Sequence, residues 1–220
     1  MPRETSHKAN ELPIWEVPTD KPIITLDIDG VLNAFDYGRR LHSWQRPIEE
    51  EPALYRINHS QKVVLPVEMC DEYGYLRGRS FVITWSDELM ADIAEVARTG
   101  EATLVWLTSW NAYADFLGWK CFWRKEPSPV LGYVDSTNGD TRSSYVGKVK
   151  VLDALCERML FERPDNPLPV IAFDDDQPWD SKRWDGSGMM PGFFHGIATD
   201  PRHGITKSQW DGVLGILGGN

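Results

Sequence analysis

The chain has 220 residues, of which 41% are hydrophobic, enough to bury a full core in one domain with a small insertion. Its formal net charge of −10 disfavours binding to long nucleic acid, which needs a broad basic face, but not a local basic pocket for one phosphate. No apolar run reaches about 18 residues, so no membrane span is expected, and residues 1–21 lack the apolar core of a signal peptide, which predicts a cytoplasmic protein.

An arm, a strand and an insertion are predicted for the first part of the chain. Residues 1–21 are polar and proline-rich, and we expect them to lie over the body of the protein as an arm. The segment IITLDI (23–28) is apolar almost throughout, which is typical of a strand covered on both faces by helices. Residues 34–84 mix aromatic, arginine, proline and glycine residues with strand-like pieces at 62–68 and 80–84. They predict a small β-rich flap, or cap, inserted after the first strand.

Helices and strands alternate through the rest of the chain. Helical spacing of apolar residues predicts helices between Ser86 and Gly100 and at 111–119, 146–160 and 206–217, and apolar runs predict strands at 102–110, 170–176 and 195–200. This alternation predicts an α/β fold with a three-layer, Rossmann-like parallel sheet and right-handed crossovers. Residues 22–33 and 85–220 form the core domain in this prediction.

Acids and hydroxyls cluster where the predicted strands end. Asp27 and Asp29 follow the first strand, Thr108 and Ser109 follow the second, and residues 174–176 are all aspartates. Ligands of parallel sheets gather beyond the carboxyl ends of the strands. We therefore expect these side chains to converge on one crevice.

The paired acids predict a divalent cation. Two carboxylates as close as Asp27 and Asp29 cannot both stay ionised without help, and Mg²⁺ prefers hard oxygen ligands of this kind. An Asp-x-Asp-Gly segment alone is more often a loop, and an Asp-rich run alone is usually a solvated turn. Their joint occurrence, each directly after a buried strand, favours a functional site.

The hydroxyl and lysine candidates each have a structural alternative. Thr108 or Ser109 could bond a phosphate oxygen, but Ser109 or Asn111 could equally cap the next helix. Lys148 could neutralise phosphate and carboxylates as a point charge, although most lysines at such positions are surface charges. Lys150 is a second candidate; Lys148 is favoured because it lies at the rim of the apolar face of its helix.

These four pieces in this order resemble the haloacid dehalogenase-like (HAD) superfamily. The strand with Asp-x-Asp is ITLDIDGVLN, the strand ending in Thr or Ser is LVWLTSW, the lysine ahead of the last motif is Lys148, and the strand ending in paired acids is IAFDDD. The match covers residues 23–200. The segments LTSWN, FDDD and TDPRHGIT are also similar to small HAD domains of actinobacteria and their phages, which are grouped with HAD domains of RNA-repair proteins.

The resemblance implies a role for each residue. Asp27 would attack phosphorus and form an aspartyl-phosphate, and Asp29 would protonate the leaving oxygen and then activate water. Mg²⁺ would be held by Asp27, by the backbone carbonyl of Asp29 and by Asp174 or Asp175. The remaining roles are phosphate binding and charge balance, which fall to Thr108, Ser109 and Lys148. Relatives that cleave carbon–halogen bonds lack an acid at the position of Asp29, so its presence favours phosphoryl transfer.

The composition of the flap gives an indication of the substrate class. Basic and aromatic residues alternate there, among them Arg39, Arg40, Trp44 and Arg46. Such a composition is suited to stacking a base and binding a second phosphate. Three glutamates follow at 49–51, so an ordinary solvated surface is the alternative.

Two functions are compatible with these features. The first is a magnesium-dependent phosphomonoester hydrolase acting on nucleotides or on the 3′ or 5′ phosphate ends of nucleic acid, in the cytoplasm, or in the host cytoplasm if a phage encodes it. The alternative is a non-catalytic HAD-fold module that binds a phosphate ligand or a protein partner. The expected partner is a phosphorylated small molecule or a nucleic-acid end, with no membrane and no extended duplex. The complete set of acids favours the enzyme.

Overall fold

The structure, a computed structural model, describes residues 10–34, 54–64, 80–124, 126–136, 144–176 and 191–219, and for residues 144–146 it describes the backbone alone. Its strands and α-helices follow in chain order: β1 (Ile23–Leu26), β2 (His59–Val64), β3 (Ser80–Trp85), α1 (Asp87–Thr99), β4 (Thr103–Trp106), α2 (Ala114–Leu117), α3 (Ser144–Glu162), β5 (Val170–Asp174), β6 (Phe194–Ala198) and α4 (Lys207–Gly218).

Four parallel strands form the central sheet, in the order β4-β1-β5-β6. Leu26 at the end of β1 lies opposite Trp106 of β4 on one side and Phe173 of β5 on the other. Because the strands run in the same direction, the residues that follow these three positions meet at one edge of the sheet. The predicted α/β fold with a parallel sheet is confirmed.

Helices cover both faces of the sheet. Successive side chains of a strand point to opposite faces, so Ile24 and Ile23 of β1 belong to different parts of the core. Ile24 packs in the cluster that includes Ile93 of α1 and Trp210 of α4, whereas Ile23 packs in the cluster that includes Leu155 of α3. Each large aliphatic side chain buried in this way contributes roughly 1.5–3 kcal/mol. The resulting three layers leave the strand ends as the place where polar side chains can meet a ligand.

The helix ends follow the signals in the sequence. The Ser86 hydroxyl accepts a hydrogen bond from the backbone N–H of Leu89 at the start of α1, and Gly100 ends that helix at φ +73°. At α4, Thr206 and Gln209 form a capping box. These local bonds set the points at which each helix leaves the sheet.

The segment after β4 differs from the prediction of a strand to residue 110 and a regular helix over 111–119. The strand ends at Trp106, and a 3₁₀ turn (Asn111–Tyr113), α2 and a π-helical turn (Gly118–Phe122) follow. The ring of Trp123 packs on Gly118 so closely that a Cβ there would lie 2.8 Å from it. The wide turn makes room for this ring, which is the physical reason for the departure from an α-helix.

An antiparallel pair, β2 and β3, forms the insertion after the first strand. It runs in register from His59 opposite Trp85 to Val64 opposite Ser80. Val63 and Ile83 of this pair are buried in the core beside α1. The β-rich insertion is therefore confirmed, although β2 begins three residues before the predicted 62–68 segment and residues 65–68 lie outside the described part of the chain.

The described part of the predicted arm, residues 10–21, runs beside the sheet. Residues 131–134 pair with the outer side of β4, since Trp106 N–H donates to Gly132 O and Val134 N–H donates to Trp106 O. Leu12 N–H then donates to Tyr133 O, and Tyr133 N–H donates to Asn10 O. Val17 is fully buried against the α3 side of the core.

Among the described helices, none combines the length and the apolar character that crossing a membrane requires.

Candidate active site

The end of β1 brings Asp27 against Lys148. Lys148 Nζ lies 2.5 Å from Asp27 Oδ2 and 2.6 Å from Asp174 Oδ2. The lysine side chain is 5% exposed, and the two carboxylates are 6% and 3% exposed. Buried charges persist in proteins when they are paired and hydrogen-bonded, and here one ammonium serves two carboxylates. Lys150, the other candidate lysine, is exposed to solvent.

A glycine allows Lys148 to reach this position. A Cβ at Gly147 would lie 1.3 Å from the backbone oxygen of Ser136, so no larger residue fits at that point of α3. The first turn of α3 thereby lies against the segment that ends at Ser136, and the adjacent Lys148 extends to the carboxyl ends of β1 and β5.

A third acid, Asp175, completes a cluster of carboxylates. One oxygen each from Asp27, Asp174 and Asp175 can be chosen so that all three lie within 4.8 Å of one another. Gly30 makes the approach possible: it adopts φ +71°, and a Cβ there would lie 2.4 Å from the Asp175 carboxyl carbon. The turn after β1 and the end of β5 therefore fit together through a residue without a side chain.

The electrostatics of this cluster favour a cation. Burial raises the pKa of Asp174 to about 6, with Lys148 opposing this shift and Asp27 adding to it. Burial also raises the pKa of Asp175 to about 6, and the neighbouring aspartates reinforce it. Burial lowers the pKa of Lys148, but the charges of Asp27 and Asp174 outweigh it and hold that pKa above its ordinary value. Three clustered carboxylates, two of them bonded to one ammonium, are a donor set that suits Mg²⁺.

Asp29, the second acid of the first motif, is held by two donors. Asn33 Nδ2 donates to Asp29 Oδ1 at 3.0 Å, and the indole Nε1–H of Trp110 donates to Asp29 Oδ2 at 2.9 Å. Burial raises the pKa of Asp29 and the charge of Asp27 adds to this, while the bonds from Asn33 and Trp110 oppose it. The two hydrogen bonds thus fix the orientation of the Asp29 carboxylate.

Thr108 and Ser109 differ in their surroundings. Thr108 is fully buried, and its Oγ1 accepts a hydrogen bond from the backbone N–H of Trp110 at 3.3 Å, whereas Ser109 is exposed. A hydroxyl that accepts in this way keeps its own hydrogen for a further bond. Between the two candidates, Thr108 is the one fixed inside the fold.

The flap residues proposed to bind substrate, Arg39, Arg40, Trp44 and Arg46, lie outside the described part of the chain. Asn33 and Trp110 touch Asp29 and were not identified as site residues from the sequence. The sequence feature that could have indicated them is their distance from the site motifs: Asn33 comes four residues after Asp29, and Trp110 comes two residues after Thr108.

A parallel α/β sheet with an Asp-x-Asp turn, a buried lysine and a second acidic strand end defines a HAD-like protein. The family described as the HAD domain in Swiss Army Knife RNA repair proteins matches residues 23–210, and the chain belongs to this family. No curated protein and no solved structure matches the chain. Membership indicates phosphatase-type activity; HAD proteins generally use Mg²⁺, and the cluster of three aspartates could bind such an ion.

Proposed function

We propose that the protein is a magnesium-dependent phosphomonoester hydrolase that works through an aspartyl-phosphate intermediate. The observation that carries this proposal is the buried lysine between two carboxylates at the ends of neighbouring strands, with Asp175 beside them. A purely structural cluster would gain nothing from a third acid whose burial disfavours its charge. A site that binds a cation and a phosphate does gain from it.

Asp27 is the nucleophile in this proposal. Its Oδ1 accepts the backbone N–H of Ile28 at 2.6 Å and its Oδ2 accepts Lys148, so the carboxylate is rigidly held at the strand end. A carboxylate oxygen of Asp27 forms a bond to phosphorus as the bond from phosphorus to the leaving oxygen breaks. Holding the nucleophile in one direction favours this in-line displacement.

Asp29 acts as acid and then as base. It gives a proton to the leaving oxygen in the first step, and in the second it takes a proton from the water that attacks the aspartyl-phosphate. Such acid–base catalysis typically contributes about 10²–10⁴-fold. Most of the acceleration therefore comes from positioning and electrostatic stabilisation.

Thr108 and Lys148 stabilise the transferring group. The hydroxyl of Thr108 donates its hydrogen to a phosphoryl oxygen, and Ser109 assists from the solvent side. Lys148 balances the charge of Asp27 and Asp174. Mg²⁺ would be held by Asp27, Asp174, Asp175 and the backbone carbonyl of Asp29, and when bound it supplies positive charge that offsets repulsion between carboxylate and phosphate.

The substrates proposed are nucleotides and the 3′ or 5′ phosphate ends of nucleic acid. Support comes from the description of the family as a domain of RNA repair proteins. The acidic balance of the chain fits recognition of an end rather than of an extended duplex. Arg39, Arg40, Trp44 and Arg46 remain the residues proposed to contact the base and a second phosphate.

Hydrolysis of p-nitrophenyl phosphate with and without Mg²⁺ tests the proposal, followed by mononucleotides and 3′- and 5′-phosphorylated oligonucleotides. Asp27→Asn is expected to lower kcat by at least about 10³-fold, because the amide cannot form the phosphoenzyme. Asp153→Asn, the same change at an exposed position of α3, is the matched control and should keep wild-type turnover.

A wild-type protein that hydrolyses none of these phosphomonoesters would refute the proposed activity. If that protein were still stabilised by Mg²⁺ with vanadate, and this stabilisation survived both Asp27→Asn and Asp175→Asn, the non-catalytic binding module would be favoured instead. Thermal unfolding of the two variants measures this directly.

A further inference from the structure

Both oxygens of the Asp29 carboxylate are occupied by buried N–H donors. Asn33 is 2% exposed and Trp110 is 9% exposed, so both donors lie in the interior, while Asp29 itself is partly exposed. A carboxylate bonded at one oxygen can rotate about that contact, but one bonded at both oxygens has a single orientation. The two donors are themselves in contact with strand β3.

Asn33 is oriented by β3 of the insertion. The backbone N–H of Thr84 donates to Asn33 Oδ1 at 2.9 Å, and the Thr84 hydroxyl donates to Ala34 O at 2.7 Å. Since the amide oxygen of Asn33 is taken by an N–H, its NH₂ group must face the other way, toward Asp29. A reversed amide would place two donors against each other at Thr84.

Trp110 is oriented by the same strand. The ring of Phe81 in β3 meets the Trp110 ring edge-on, with centroids 5.0 Å apart and planes at 75°, a favourable geometry for aromatic pairs. The backbone N–H of Trp110 is bonded to Thr108 Oγ1, which fixes the other end of the residue. The indole N–H is therefore directed at Asp29 by contacts from two sides.

We propose that strand β3 positions Asp29 through Asn33 and Trp110, so that the insertion sets how well the leaving oxygen is protonated. Asn33 and Trp110 are positioning residues, since each acts on the substrate through Asp29. The inference rests on the proposed function, because it assigns a role to the acid–base step of that reaction. It makes the insertion part of the catalytic geometry in addition to any contact with substrate.

The test is the dependence of kcat/KM on the leaving group. Protonation matters most when the leaving oxygen is a poor leaving group, as in alkyl phosphates, and least for p-nitrophenyl phosphate. Trp110→Phe keeps a ring against Phe81 and removes the N–H. We expect it to lower kcat/KM for alkyl phosphates by about 10–100-fold and for p-nitrophenyl phosphate by less than about 3-fold.

Trp123→Phe is the matched control. Trp123 is also a buried tryptophan of the same segment, 8% exposed, but its indole N–H donates to the backbone oxygen of Met90. It should leave the ratio of the two kcat/KM values unchanged. Phe81→Leu, which keeps the Trp110 N–H and removes its aromatic neighbour on β3, should change the ratio in the same direction by a smaller factor.

An equal loss on both substrate types in Trp110→Phe, or an unchanged ratio in both Trp110→Phe and Phe81→Leu, would overturn the inference. Thermal unfolding of each variant separates loss of folding from loss of positioning.

A second measurement does not require turnover. The indole ¹⁵N–¹H signal that disappears in Trp110→Phe should shift in Asp29→Asn and stay in place in Asp153→Asn. A signal that stays in place in Asp29→Asn overturns the inference even if the enzyme is active. If the wild type is inactive and the signal shifts, the proposed hydrolase activity is refuted, while the positioning of Asp29 by Trp110 is supported.

Discussion

Lys148 is the residue on which the charge balance of the site depends. It is the cation bonded to both Asp27 and Asp174, and all three side chains are buried. Removing one member of such a group leaves uncompensated charge in a place that water does not reach. The consequence falls on stability as well as on activity.

Lys148→Met is expected to lower the free energy of unfolding by about 3–5 kcal/mol at pH 8, where the two carboxylates are left facing each other. The loss should be smaller at pH 5, because burial raises the pKa of Asp174 to about 6 and it can then take up a proton. Urea unfolding at the two pH values measures both quantities. Lys150→Met, on the same helix but exposed, should stay within about 0.5 kcal/mol of wild type.

Two glycines show how single elements set the site. Gly147 lets α3 approach the segment ending at Ser136, and Gly30 lets the turn after β1 approach Asp175. In both cases the absence of a Cβ determines how closely two elements come together. The positions of Lys148 and Asp175, two side chains of the proposed site, thus depend on glycines that have no side chain.

Gly30→Ala is expected to destabilise the protein by about 1–3 kcal/mol, since φ +71° is strained for alanine, and also to displace the Asp175 carboxylate and reduce stabilisation by Mg²⁺. Gly100→Ala is the matched control, because Gly100 has φ +73° but its added Cβ meets the flexible end of Lys21. It should lose stability without losing the response to Mg²⁺. Thermal unfolding with increasing Mg²⁺ compares the two, and an equal response in both variants would contradict the role given to Gly30.

The sequence predicts some elements well because their signals are local. Ser86 and Gly100 determine the ends of α1, and the run IITLDI marks β1 because a strand buried on both faces is apolar throughout. The π-helical turn could not be predicted, since it depends on the ring of Trp123 packing on Gly118.

In the site, too, some contacts could be predicted from the sequence and others could not. The convergence of Asp27 with Asp174 follows from acids at the ends of parallel strands. The bond from Trp110 to Asp29 does not, because the indole direction depends on Phe81 from a distant part of the chain.

At the scale of the whole molecule, the sheet order places the acidic ends of β1 and β5 side by side. Folding therefore brings negatively charged carboxylates close together. Asp174 and Asp175 have folded pKa values of about 6, raised from 3.8. A raised acid pKa contributes stability below the unfolded value, and this contribution is lost as pH rises through about 6. The metal-free protein should therefore lose stability from these two groups between pH 4 and pH 7 as they ionise.

In the proposed site Mg²⁺ would bind the ionised carboxylates, so its stabilisation of the fold is expected to be small at pH 5 and larger at pH 7.5. The shift in melting temperature with a fixed Mg²⁺ concentration measures this. Asp175→Asn should be more stable than wild type without metal at pH 7.5 and respond less to Mg²⁺. A shift that is equal at both pH values would mean that these acids do not hold the ion.

The pairing outside β4 has a consequence for how molecules of this protein meet one another. An open strand at the rim of a sheet offers unpaired N–H and C=O groups to a strand of another chain and is a common start of aggregation. Here residues 131–134 occupy the rim of β4, and Asn10 and Leu12 occupy the outer side of Tyr133 in turn. Residues 10–12 and 131–134 thus block the addition of a strand from another chain to β4, independent of the chemistry at the strand ends.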